Sequence, residues 1–189
     1  QNLMDSFNLT NHFLIAMPSM GDPNFSKTVT YLCAHNEEGA MGIVINRPMK
    51  IALGAILAEM SIESGNCSSD AQPVYLGGPV HRDRGFIIHN PANGWDSTIQ
   101  VTDELAVSTS RDILEAIGAG DGPQEKLVAL GYAGWGAGQL EQEMAQNAWL
   151  NGPASMEIIF KTPPEQRWQV AVAEMGVDLS ALSSDIGHA

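Results

Sequence analysis

Residues 131–143 read GYAGWGAGQLEQE. Four glycines and two aromatic residues lie between an apolar run and an amphipathic one. Such a stretch is either a loop that cradles a phosphate or a corner joining a strand to a helix. A dinucleotide loop needs glycines at the first, third and sixth positions. Counting from Gly134 places Gln139 sixth, and counting from Gly136 places Glu141 there, so both frames fail. The chain has no Gly-Lys-Ser or Gly-Lys-Thr, which a Walker loop requires. Glu141 and Glu143 would also stand in the first turn of the following helix, where they repel a bound phosphate. The corner reading is preferred: small residues let the main chain turn while Tyr132 and Trp135 pack over it.

Working outward, KLVALGYAGW (126–135) reads as a buried strand, and a helix is expected from about Gln139 to Trp149, with Leu140, Met144 and Ala148 on one stripe. Upstream, HFLIAM (12–17) is a short buried strand closed by Pro18, and SMGDPN (19–24) is turn chemistry. TVTYLCAHN (28–36) and AMGIVIN (40–46) form an antiparallel pair across Glu37-Glu38-Gly39, with Val29, Tyr31 and Cys33 on one face. Pro48 is expected to close that pair. IALGAILAEM (51–60) carries Leu53, Ile56, Leu57 and Met60 at helical spacing, and 61–73 reads as a polar loop. VYLGGPV (74–80) and GFIIHN (85–90) are two strands around a bend HRDR. TIQVT (98–102) and LAVST (105–109) are strand-like. Thr109 and Asp112 then have capping-box spacing before a short helix through Ile113, Leu114 and Ile117, ended by Gly118 or Gly120. EIIF (157–160) is expected as a last strand. Thr162 and Glu165 repeat the capping-box spacing, with Pro163 at the first position of a helix whose stripe is Trp168, Val172 and Met175. Hairpins mixed with helix-separated strands predict an α+β chain with a mixed sheet.

The 189 residues fit one domain, with 1–9 as a lead-in and 178–189 as a tail. Net charge is −13, from 22 acids and nine Lys plus Arg, which makes a groove-tracking nucleic-acid face hard to build. Cys33 and Cys67 make no disulfide framework, and the five histidines show no zinc spacing. No run reaches the ~18 apolar residues of a membrane span. No basic-then-apolar secretory pattern opens the chain. These features predict a soluble cytoplasmic protein without metal or cofactor.

The candidate site residues stand at strand ends and helix starts, where folds place their sites. Asn46 and Arg47 precede Pro48, and Arg47 is suited to a carboxylate or phosphate, or to a bridge with a surface acid. Gly77 and Gly78 permit close backbone approach or a bulge. Arg82 and Arg84 flank Asp83, either as part of an anion pocket or as a self-neutralised turn. Ser108, Thr109 and Ser110 offer hydroxyls at a helix start, for an anion or for capping. His81, Asp83 and His89 could ligate a metal only by converging in the fold, and their spacing is not distinctive. No GxSxG motif or ordered catalytic set is present, so binding is expected before catalysis. Trp95 and Trp149 are placed in or beside loops, free to anchor a partner or to pack inward.

The stretches NHFLIAMPSMGDPNFSKTVTYL, HNEEGAMGIVINRP, YLGGPV, DRGFIIH, STSRDIL and LGYAGWGAGQLEQEMAQNAWL, in this order, resemble the YqgE/AlgH family of bacterial proteins. The ending is similar to its AlgH branch. The resemblance implies an α+β fold with a bifurcated mixed β-sheet curled into a pseudo-barrel and flanked by helices. The AlgH name is tied to transcriptional regulation of alginate production; set against the charge of −13 and the lack of a basic recognition helix, the expectation is an indirect regulator acting through a small anionic ligand or a protein partner, with a direct transcriptional regulator or an enzyme of unknown reaction as alternatives. The resemblance supplies no catalytic residue. Its signature blocks fall on Asn46 to Pro48, Gly77 to Pro79, Asp83 to Gly85, Ser108 to Ser110, and Gly131, Trp135, Gly138, Gln139 and Trp149.

Overall fold

The computed structural model describes residues 8–17, 27–65 and 68–176. The turn at 19–24, Cys67, the tail and most of the lead-in lie outside the described residues. The fold is α+β. Among the described residues ten strands form one curled mixed sheet: β1 (His12–Ala16), β2 (Val29–Asn36), β3 (Gly39–Val44), β4 (Pro48–Ala52), β5 (Pro73–Leu76), β6 (Val80–Asn90), β7 (Thr98–Gln100), β8 (Ala106–Ser108), β9 (Glu125–Gly136) and β10 (Trp149–Pro153). Their order is β10-β1-β2-β3-β9-β6-β8-β7. β5 branches off β9 as its parallel neighbour and carries β4 on its other side, which makes the sheet mixed and bifurcated. The helices are α1 (Leu53–Glu59), α2 (Arg111–Gly118), α3 (Gln139–Ala145), α4 (Met156–Phe160) and α5 (Arg167–Glu174).

The expected β2–β3 hairpin forms, with Thr30 opposite Val44 and Asn36 opposite Gly39. Val29, Tyr31 and Cys33 face the largest core cluster, together with Ile43, Phe86 and Ile88 and the buried faces of α4 and α5. Leu32 faces the opposite way, into the cluster beneath α3. α1 and α2 cover a third cluster through Leu53, Leu57, Ile113 and Ile117. A strand buried on both faces reads as a continuous apolar run, as β2 does.

β9 answers the question posed by the glycines. Leu127 and Ala129 face the main core, but beyond Gly131 it is Tyr132 that packs there, while Ala133 and Trp135 face α3. Side chains alternate strictly along a regular strand. Gly131, at φ +79°, resets that alternation in mid-strand. The corner into α3 comes later, at Gly138, whose φ is +75°. The glycines thus serve two separate bends, one inside the strand and one at the helix start.

Several local expectations are corrected. Pro48 opens β4 instead of ending a strand, and the helix starts at Leu53, two residues later than expected. Proline has no N–H to donate, so the first residue of an edge strand suits it. HRDR belongs to β6, where the register slips between Val80 and Gly85. α3 stops at Ala145, and Trp149 begins β10. EIIF is helical, with the Ser155 hydroxyl accepting from the Ile158 amide at 3.2 Å. A four-residue apolar run has too little length for its period to separate strand from helix. Neither capping box forms: the Thr109 hydroxyl bonds Ser97, and the Thr162 hydroxyl bonds the Glu157 carbonyl. Pro163 caps a 3₁₀ turn, Pro164–Gln166, ahead of α5.

Candidate functional site

The polar blocks fall into groups with different surroundings. Asn46 uses its whole amide on the backbone: Oδ1 accepts from the Val29 amide and Nδ2 donates to the Lys27 carbonyl, both at 2.9 Å. Gly77 and Gly78 lie where the chain crosses β9. A Cβ on Gly77 would stand 2.4 Å from the Gly131 oxygen, and one on Gly78 would stand 2.1 Å from the Tyr132 carbonyl carbon. The Gly77 amide donates to Leu130, and its carbonyl accepts from Val44.

Arg47 and Arg82 line one depression with Val44, Leu76, Gly78 and Pro79, and its volume is only about 10 Å³. Two residues on, the exposed Arg84 donates to the Thr109 hydroxyl at 3.3 Å and lies 5.9 Å from the Phe86 ring centroid. Thr109 donates to the Ser97 hydroxyl, and the Ser97 amide donates to Ser110. Ser110 in turn donates to Asp112 at 2.5 Å, and the amides of Asp96 and Ile113 point at the same carboxylate. Burial pulls the Asp112 pKa upward, but these hydrogen bonds outweigh it and hold the carboxyl below its ordinary range. The start of α2 therefore carries its own anion.

Ser108 is fully buried with His89. The His89 Nδ1–H donates to the Pro91 carbonyl at 2.9 Å, which leaves Nε2 to accept from the Ser108 hydroxyl at 2.7 Å. Thr98 is 2.8 Å from the same hydroxyl. Burial pushes the His89 pKa down, against the opposing pull of the Pro91 carbonyl, so the ring is neutral. The pairing has the geometry of a base-activated nucleophile, but neither side chain reaches solvent. His81, by contrast, is exposed, its ring 5.9 Å from that of Tyr132. Among the described residues no three His, Cys, Asp or Glu side chains gather as a metal requires.

Sequence reasoning missed the roles of the acids in the opening motif. Glu143 Oε1 accepts from the indoles of both Trp135 and Trp149 at 2.9 Å, and Oε2 accepts from Gln139. The Leu9 amide donates to His35 Nδ1, so His35 Nε2 donates to Glu141, 3.2 Å away. Trp149 is 5 % exposed and Trp95 packs against the cluster under α1 and α2, so both rings turn inward. Arg167 was missed as well. It is 4 % exposed and lines a cleft of about 190 Å³ with Tyr75 and Lys126. Its signal was a lone cation in register with Ala171, four residues on, along a buried helix face.

Comparison with known proteins agrees with this architecture. The family profile described as DUF179, AlgH-like, matches residues 13–180. A UPF0301 protein of Thioalkalivibrio sulfidiphilus is 58% identical over 184 residues, 97% of this chain and 98% of that one. Another from Nitrosococcus oceani is 54% identical over 179 residues, 95% and 96% of the two chains. The solution structure of the AlgH protein from Pseudomonas aeruginosa superposes with a TM-score of 0.80 at 49% identity, covering 97% of both chains. A crystal structure of a Corynebacterium diphtheriae protein, 20% identical, shares the fold at a TM-score of 0.72 over 91% of this chain and 92% of that one. With the profile match, these relatives and the superposed fold in agreement, the chain belongs to the AlgH-like family, the YqgE/AlgH group of UPF0301 proteins.

Proposed function

We propose that this protein is an indirect regulator that engages an acidic surface of a partner protein through the arginines around β6, and does not read DNA. The observation that carries this reading is the meeting of Arg47 and Arg82 at one depression beside the outward Arg84, in a chain of net charge −13. The depression is too small for a ligand to enter, which favours a surface contact over a bound small molecule at this place. Guanidinium groups suit that contact, since they pair carboxylates in a planar, two-pronged way. Asn46, Gly77 and Gly78 support the backbone beneath the arginines, and Thr109 holds Arg84 from the side. With nine basic residues in the whole chain, the long-range field opposes approach to a phosphate backbone.

The test is affinity co-purification of the tagged protein from its host, comparing the native chain with Arg47→Ala/Arg82→Ala/Arg84→Ala. A partner recovered with the native chain and lost with a triple variant of unchanged melting temperature supports the reading. Equal recovery by both, or sequence-specific operator binding at nanomolar strength in physiological salt, defeats it.

A further inference from the structure

We propose that Asn93 is a self-modifying site, where the Gly94 backbone nitrogen displaces the side-chain amide and leaves aspartate or isoaspartate in its place. The chain holds a second Asn-Gly pair, Asn151-Gly152, which the sheet keeps intact. The inference does not depend on the arginines around β6.

Asn-Gly is the dipeptide at which this chemistry meets least hindrance, because glycine sets no Cβ beside the attacking nitrogen and leaves its backbone free to turn. The Gly94 nitrogen gives up its proton and bonds to the Asn93 Cγ. The Cγ–Nδ2 bond breaks, and the amide nitrogen departs with that proton as ammonia. A cyclic imide remains. Water then adds to either of its carbonyls and opens the ring. One opening gives aspartate in the ordinary main chain, and the other gives isoaspartate, whose main chain runs through Cβ and Cγ. The sequence of steps consumes a water, releases an ammonia and changes no oxidation state. The reacting groups belong to adjacent residues, so the rate is governed by whether the local backbone can bring them together.

The two pairs differ in that freedom. Asn93 and Gly94 are both exposed, in the loop between β6 and β7. A Cβ on Gly94 would meet nothing within 4 Å, so the space around the attacking nitrogen is open. Among the described residues no hydrogen bond holds the Asn93 side chain or the Gly94 amide. The anchors of the loop stand on either side of the pair. The Pro91 carbonyl accepts from His89, and the amides of Trp95, Asp96 and Ser97 donate to Thr98, Asp112 and Ser110. Asn151 and Gly152, by contrast, lie in β10 opposite Leu14 and Phe13 of β1. The Ala154 amide donates to the Asn11 carbonyl at 3.1 Å. Amides two residues apart on a strand point the same way, so the Gly152 N–H also faces β1. Gly152 is buried, and a Cβ there would stand 3.2 Å from Met175 Cγ. Closing the ring at Asn151 would draw the Gly152 nitrogen out of the ladder and turn Asn151 out of its extended backbone.

Either product adds a negative charge just ahead of Asp96, and the isoaspartyl product also lengthens the main chain before Trp95, where the loop is tied to α2. The experiment ages the full chain in mildly alkaline buffer and follows both Asn-Gly peptides by mass spectrometry, with fragmentation that separates aspartate from isoaspartate. Asn93 should convert at least about tenfold faster than Asn151, the factor in a rate that one net hydrogen bond supplies. Gly94→Ala, which places its methyl in open space, should suppress conversion at Asn93 and leave Asn151 as it was. Urea at a concentration that unfolds the chain should close most of the gap between the two sites. Equal rates in the folded chain, an Asn93 that stays intact, a gap that persists in urea, or unchanged conversion in Gly94→Ala would each overturn the proposal.

Discussion

Replacing Gly78 by Ala tests whether the glycine blocks exist for the crossing of chains. The added Cβ would lie 2.1 Å from the Tyr132 carbonyl carbon, 2.2 Å from its oxygen and 2.4 Å from the Ala133 nitrogen. Ordinary contact begins near 3.4 Å, so the two chains must part by about 1 Å. The obstacle is backbone, which cannot swing aside as a side-chain tip would. Parting them also stretches the 2.8 Å bond from the Gly77 amide to the Leu130 carbonyl. Overpacking against movable side chains costs about 1–3 kcal/mol, and here the upper end, about 3 kcal/mol, is the floor. For a chain of this size that is roughly 6–12 °C of melting temperature. The control is Gly85→Ala in β6, where a Cβ meets nothing within 4 Å. It should change stability by less than about 0.5 kcal/mol. Circular-dichroism melts and urea titrations of the two variants provide the comparison. If Gly78→Ala melts with Gly85→Ala and the native chain, the close crossing is not what these glycines serve.

Glu143→Ala removes the shared acceptor of two indoles and should cost about 2–4 kcal/mol, with a change in tryptophan fluorescence; an unaltered spectrum and melt would contradict that anchoring. Asn46→Ala should cost about 1–2 kcal/mol in urea unfolding, because the Val29 amide and Lys27 carbonyl lose their partner; a neutral effect would free Asn46 for a role toward ligands. His89 has a lowered pKa in the folded chain, so the unfolded chain binds more protons as pH falls below about 6.5. Stability is full above that value and declines as pH drops toward the folded pKa. His89→Gln should flatten this slope in melts taken between about pH 7 and pH 5, and an unchanged slope would assign the acid sensitivity elsewhere.

The hairpin of β2 and β3 was legible because its alternation and its turn agree. β9 was legible as a strand because ten apolar and small residues run together. What the sequence could not display was the change of facing at Gly131, since a glycine within a strand looks the same whether it bulges or packs. β4 and β10 were missed because each borders a helix whose periodic pattern extends over it by a residue or more. EIIF illustrates the opposite failure, a β-rich composition made helical by a serine cap and by burial against the sheet. At the candidate site, the resemblance and strand-end logic reached Arg47, Arg84 and the hydroxyls. They did not reach Arg167, because a cation's burial depends on what folds over it. In the sequence Glu141 and Glu143 stand as deterrents to phosphate, whereas in the fold their carboxylates accept from His35 and the two indoles.

The long strand β9 has a further consequence for how this chain is made. Its last residues pair with β3, so Gly39 waits for Gly136 and Gly42 for Ala133. Ninety or more residues must leave the ribosome between those partners, and at about 5–20 residues per second that interval lasts roughly 5–20 s. Throughout it the outer margin of β3 offers unpaired amides and carbonyls to any other extended polypeptide. A nascent chain halted before residue 133 is therefore left with an open template, and the synthesis of residues 133–136 is what closes it.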